Sequence, residues 1–121
     1  MQTRIATPDD AVDIARIYNQ GIEDRVGTFE TRPRSAEDVQ AWFDGHHPIV
    51  VVEDNGEVIA FASTSIYRPR DCYAGIAEFS VYVVREARRC GAGRAAMEAL
   101  LNEAEHRGFW KLVCKVECHL I

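Results

Sequence analysis

The residues best suited to chemistry lie in one short stretch, Arg88-Arg89-Cys90-Gly91-Ala92-Gly93, with Arg94 directly after it. Residues 85–94 hold four Arg and one Glu, a local charge of +3 in a chain whose total is −5. Such an island of positive charge is expected to meet something anionic. The stretch falls where an alternating apolar run ends and a helical repeat begins. A helix start exposes unpaired backbone N–H groups and a partial positive charge, so main-chain donors can hold a phosphate there. Gly91 and Gly93 lack a β-carbon and let the backbone approach an anion, while Arg88, Arg89 and Arg94 add charge. The ligand this implies is a pyrophosphate-bearing cofactor; the competing account is a glycine-containing turn with solvated arginines.

The elements that position this stretch follow from periodicity. Gly75 to Val84, with Ile76, Phe79, Val81 and Val83, reads as the strand before it. Ala95, Ala96, Met97, Leu100, Leu101 and Ala104 define an amphipathic helix after it, closing near Arg107-Gly108. Trp110 to Val116 is a further apolar strand. A strand, helix, strand order this tight predicts two parallel strands joined by a right-handed crossover.

Earlier in the chain, Thr3 to Ala6 reads as a short strand. Thr7-Pro8-Asp9-Asp10 announces a helix whose buried face carries Ala11, Ile14, Ala15, Tyr18 and Ile22. Gly21 and Gly27 flank a polar stretch that runs into a loop at residues 28–33. Ser35-Ala36-Glu37-Asp38 is a capping signal for a short helix with Val39, Trp42 and Phe43 as its apolar stripe. His46-His47 reads as an exposed pair in a loop. Ile49 to Glu53, a turn at Asp54-Asn55-Gly56, and Glu57 to Tyr67 form a hairpin, because Asn-Gly tolerates the positive φ angles of a tight turn.

Composition narrows the classes. A chain of 121 residues with 47% hydrophobic residues is one globular domain able to bury a core without disulfides or a structural metal. No apolar run approaches a membrane span, and the start lacks a secretory signal, so the expected compartment is the cytoplasm. Cys72, Cys90, Cys114 and Cys118 then read as free thiols. The acidic total argues against a general nucleic-acid binder. Cys114, Cys118 and His119 lack a fourth partner and the paired spacing of zinc sites, so no metal is expected.

Arg-x-x-Gly-x-Gly after an amphipathic strand resembles the acetyl-CoA motif of the GNAT N-acetyltransferases. Ala77-Glu78-Phe79-Ser80-Val81-Tyr82-Val83, Phe29-Glu30-Thr31-Arg32-Pro33 and Tyr67-Arg68-Pro69-Arg70-Asp71-Cys72-Tyr73 resemble its phosphinothricin acetyltransferase branch, which also includes methionine sulfoximine and arsinothricin acetyltransferases. The similarity runs from about Arg4 to Val116. It implies an α/β fold: a mixed, mostly antiparallel twisted sheet flanked by helices, with one parallel strand-helix-strand unit. It also implies transfer of acetyl from acetyl-CoA to the amino group of a small anionic amino-acid analogue, conferring self-protection or detoxification, with a homodimer as a further expectation.

Roles follow residue by residue from the resemblance. Val81, Tyr82 and Val83 would offer strand backbone groups to the pantetheine arm, and Arg88, Arg89, Cys90, Gly91, Ala92, Gly93 and Arg94 would wrap the pyrophosphate. Glu78 would be the general base, acting directly or through water, because an amine that is mostly ammonium must lose a proton before it attacks a thioester. Read without the family, Glu78 is a solvent-facing strand residue alternating with Phe79 and Val81. Arg68, Arg70 and Tyr73 would hold the acceptor's acidic groups, since a guanidinium can grip a carboxylate or phosphinate with two hydrogen bonds. Phe29 and Glu30 would line the acceptor side.

The family's pattern continues past the strand ending near Val116 with another helix and two strands, whereas this sequence ends at Ile121. The resemblance therefore implies a shortened reading frame, with family-like coding downstream in the DNA. Two other functions compete: an acyl-CoA-binding fragment without turnover, and a nicotinamide-type dinucleotide binder, since Gly91-x-Gly93-x-x-Ala96 fits a short glycine fingerprint with Glu117 after the next strand.

Overall fold

The computed structural model describes residues 1–24, 33–66 and 75–114. Among them, five strands form one sheet in chain order: β1 (Gln2–Ile5), β2 (Ile49–Asp54), β3 (Glu57–Ile66), β4 (Ile76–Val83) and β5 (Lys111–Cys114). The first three pairings are antiparallel, and β4 with β5 is parallel. The expected mixed sheet with one parallel strand-helix-strand unit is therefore present. With a single parallel pair behind an antiparallel hairpin, the described sheet lacks the successive parallel βαβ units of a nicotinamide dinucleotide domain. No helix among the described residues is long and apolar enough to cross a membrane.

The β2–β3 turn is built as its sequence requires, with Asn55 at φ 54° and Gly56 at φ 82°. Alternate residues of the sheet feed two cores. On one face Val51, Phe61, Tyr82 and Val84 pack against α1 (Ala11–Asp24) and α2 (Ala36–Gln40). On the other, Val50, Val52, Ala60, Ala62 and Phe79 pack against Ala92, Ala96 and Leu100 of α3 (Ala92–His106). Leu100 is fully buried, which contributes roughly 1.5–3 kcal/mol. Covering both faces overturns the half-exposed reading of β4: Tyr82 is buried, and Val81 and Val83 are partly buried against α3.

Helix entry is also tied down. A single 3-10 turn, Pro8–Asp10, precedes α1, and Asp10 accepts the Thr7 N–H at 2.8 Å in a capping box. Both Asp10 oxygens take the Arg4 guanidinium at 2.8 Å, and Arg4 also reaches Glu53 at 2.8 Å, linking the turn that leads into α1 to β1 and β2. Gly21 lies buried within α1, which continues past Ile22 to Asp24. Ser35 and Asp38 form the expected capping box of α2, but Trp42 and Phe43 follow that short helix instead of lying on it.

Candidate active site

The glycine-rich stretch sits where the sequence placed it, between β4 and α3. Gly91 is the N-cap at φ 92°, a left-handed conformation that only glycine adopts cheaply, and it carries no capping side chain. The first intrahelical bond runs from Ala95 N–H to the Gly91 carbonyl at 3.0 Å. Among the described residues, nothing accepts the N–H groups of Ala92, Gly93 and Arg94. These are the donors that a helix start leaves to a ligand.

The arginines divide. Arg88 turns back to α1: it donates to Asp24 at 2.8 Å and to the Val83 carbonyl at 3.2 Å. Arg85 donates twice to Asp24 at 2.9 Å, so the end of α1 is tied to the loop leading into α3. Hydrogen bonds from Arg85 and then Arg88 lower the Asp24 carboxyl from 3.8 to about 2. Arg89 is exposed and takes φ 68°. Arg94 is also exposed, 3.7 Å from Glu98. The Cys90 thiol is a free, exposed group whose Sγ lies 2.6 Å from the Ala87 carbonyl.

Beside this helix start, the β4 backbone edge facing away from β3 has no strand partner past Phe79 among the described residues. The Val84 N–H donates to the Ile59 carbonyl at 2.8 Å. In an antiparallel pair such bonds alternate, so Val81 and Val83 turn their backbone groups away from β3. On that side the pairing with β5 ends at Phe79 opposite Cys114 among the described residues. Val81 and Val83 also pack in the same core as Ala92 and Ala96, which places that edge next to the start of α3.

Glu78 lies on the sheet's other face. It is half-buried, directly opposite Ser65, and shares its face with Ser80 and Tyr82. That face opens into a cavity of about 400 Å³ whose walls include Tyr18, Trp42, Tyr82, Ser63, Ser65 and Ser80. The aromatic walls brace one another. Tyr18 lies edge-on to Trp42 at 5.6 Å and beside Tyr82 at 5.1 Å, and Tyr82 stacks on Phe61 at 5.3 Å. Arg34 and Asp44 add a cation and an anion to the wall.

The Arg34 guanidinium sits over the Tyr18 ring at 5.3 Å. Asp44 accepts the N–H groups of His46 at 2.8 Å and His47 at 2.7 Å, and lies 2.6 Å from the His47 ring. Burial would raise the Asp44 carboxyl, but the His47 and His46 hydrogen bonds outweigh it and hold the group at about 2. The two histidines therefore differ from the expected exposed pair: His46 is exposed, whereas the His47 side chain is only 9% exposed.

The structure thus brings Val81, Val83, Gly91, Ala92 and Gly93 together and puts Glu78 on the sheet face of the cavity, next to its wall residues Ser65 and Ser80. Phe29, Glu30, Arg68, Arg70 and Tyr73 lie outside the described residues, as do Cys118 and His119. Sequence reasoning missed the cavity's Arg34, Asp44 and serines. The polar run Ser63-Thr64-Ser65 inside an otherwise apolar strand was the one signal available.

Residues 14–120 match the Acetyltransferase (GNAT) family model. The L-methionine sulfoximine/L-methionine sulfone acetyltransferase of Pseudomonas aeruginosa is 33% identical over 89% of this chain and 66% of its own length. The L-amino acid N-acyltransferase MnaT of Escherichia coli is 31% identical over 97% of this chain and 70% of its own. A GNAT superfamily phosphinothricin acetyltransferase from Sinorhizobium meliloti, solved in complex with acetyl-CoA, superposes with a TM-score of 0.80 at 31% identity, covering 89% of this chain and 61% of that one.

Proposed function

This chain belongs to the acetyltransferase (GNAT) family, and from that premise we propose that it moves the acetyl group of acetyl-CoA onto the amino group of a small amino-acid analogue of the phosphinothricin or methionine sulfoximine kind. One observation carries the reading. The N–H groups opening α3, without an acceptor among the described residues, adjoin the outward backbone edge of β4, which suits a pyrophosphate joined to an extended amide-bearing arm. The names of the relatives support the acceptor class, and the complex with acetyl-CoA supports the cosubstrate.

The residues would divide the work by face. Ala92, Gly93 and Arg94 would donate their N–H groups to the pyrophosphate, with Arg89 and Arg94 adding charge. Val81 and Val83 would pair with the pantetheine amides as a further strand would, fixing the thioester at the sheet edge. The thioester supplies the activated acyl group: a C–N bond to the acceptor forms, and the C–S bond breaks with its electron pair leaving on sulfur.

Glu78 would remove the ammonium proton, directly or through water, because only the neutral amine has a lone pair for attack. The cavity on Glu78's face of the sheet would hold the acceptor, with aromatic walls excluding water and Ser63, Ser65 and Ser80 offering hydroxyls. The reaction belongs in the cytoplasm under this reading, a compartment where thiols such as Cys90 stay reduced. Its test is thiol release on mixing the protein with acetyl-CoA and either phosphinothricin or methionine sulfoximine. Free CoA formed only with an acceptor present supports the proposal; acetyl-CoA binding without release selects a noncatalytic binding fragment.

A further inference from the structure

Arg88, the first residue of the glycine-rich motif, spends its guanidinium on the chain itself. Nε donates to the Val83 carbonyl at 3.2 Å and Nη1 to Asp24 at 2.8 Å. The Val83 carbonyl lies on the side of β4 that faces away from β3, because its neighbour Val84 is the residue bonded to β3 and such bonds alternate along an antiparallel strand. It therefore belongs to the row of backbone groups assigned above to the pantetheine arm. One acceptor of that row, close to the loop that opens α3, is already met by an internal donor.

That donor is held from a second direction. Asp24 ends α1 and also accepts Arg85 twice at 2.9 Å, while the Arg85 N–H donates to Gln20 one turn earlier on the same helix. An arm amide that took over the Val83 carbonyl along the strand direction would have to displace Arg88, whose bond to Asp24 is charge-assisted. From this, and resting on the acetyltransferase reading above, we propose that Arg88 is a positioning residue that stops the arm's pairing short of the Val83 carbonyl, with Asp24 holding it in place. The stop sets where along β4 the thioester lies. A slip of one pairing position, two residues or about 7 Å along a strand, would draw the thioester towards α3 and away from Glu78.

Carbonyl carbon-13 resonances followed while CoA is titrated into the whole chain test the placement, whether or not bound acetyl-CoA is turned over. In the wild type the Val81 carbonyl is expected to shift and the Val83 carbonyl to stay; in Arg88→Leu the Val83 carbonyl should shift as well. A wild-type Val83 carbonyl that shifts as far as that of Val81 would overturn the proposal.

Binding and turnover give an independent check. Adenosine 3′-phosphate 5′-diphosphate carries the pyrophosphate without the arm, so its calorimetric affinity should stay within about twofold in Arg88→Leu, while kcat with acetyl-CoA falls by about tenfold or more. Asp24→Asn, which still accepts a hydrogen bond, should lower kcat in the same direction by less. A diphosphate affinity that falls tenfold would mean that Arg88 serves the pyrophosphate instead, and an unchanged kcat in Arg88→Leu would mean that it stops nothing; either result overturns the proposal and leaves the activity in place. A wild-type protein that neither binds CoA nor releases thiol would overturn the acetyltransferase reading and this inference with it.

Discussion

Asp24, the last residue of α1, receives the Arg88 guanidinium at 2.8 Å across the gap to the loop that opens α3. The helix that walls the cavity is thus ionically joined to the segment proposed to bind the cofactor. Arg85 strengthens the joint with two bonds of 2.9 Å to the same carboxylate.

This joint should respond to acid with a defined sign. The Asp24 carboxyl is lowered from 3.8 to about 2 in the folded chain. A depressed folded value means stability that is present above pH 3.8 and is lost as pH falls through about 2. Chemical denaturation of wild type and Asp24→Asn across that range is the check. The wild type should be the more stable above the upper limit, with the gap closing towards the lower one; a gap independent of pH would contradict the pairing.

Gly91 and Gly93 should fail differently. At Gly91 an added Cβ meets only the Met1 Cε at 3.8 Å, so Gly91→Ala has room but suffers the φ of 92°. It should lose about 1–2 kcal/mol of stability, from the left-handed backbone alone. Gly93→Val instead adds a branched side chain at a buried position in the first turn of α3 and should abolish calorimetric binding of acetyl-CoA, with circular dichroism run alongside to show that the fold is kept. Normal affinity in Gly93→Val would misplace the pyrophosphate.

Glu78→Gln keeps size and removes the base. Acetyl-CoA affinity should be unchanged, and kcat should fall by about 100-fold or more, the usual worth of a positioned base. Native circular dichroism and unchanged calorimetric binding of acetyl-CoA in the variant separate this from a packing effect. A kcat within about twofold of wild type would remove Glu78 from the proton's path.

Phe61 is fully buried beneath the cavity, stacked on Tyr82 at 5.3 Å and facing Trp42 at 6.2 Å. Phe61→Ala should cost about 3–5 kcal/mol by urea denaturation, from lost transfer energy and the void left behind. A loss below about 1 kcal/mol would mean that the aromatic floor repacks, contrary to the dense interior expected of it.

Local rules carried the elements and stopped at the cavity. The Asn55-Gly56 turn, the Ser35 cap and the spacing of Ala96, Leu100 and Ala104 each depend on neighbours a few residues away, so the chain itself displays them. The two-faced burial of β4 depends on helices distant in sequence, and alternation alone could not show that Tyr82 points into a core. The glycine-rich helix start was legible because strand, turn and helix are contiguous. Arg34 and Asp44 were not, since a cation over the Tyr18 ring and an anion held by His46 and His47 meet only after α1, α2 and the sheet have packed.

In the proposed site the N–H groups of Ala92, Gly93 and Arg94 hold the pyrophosphate of acetyl-CoA. Amide nitrogen–proton correlation spectra recorded during titration with CoA test it directly. These three amides should show the largest shifts, with Val81 and Val83 following, and Gly93→Val should abolish the response. Saturating CoA that leaves the three amides unmoved while shifting another part of the sheet would contradict it.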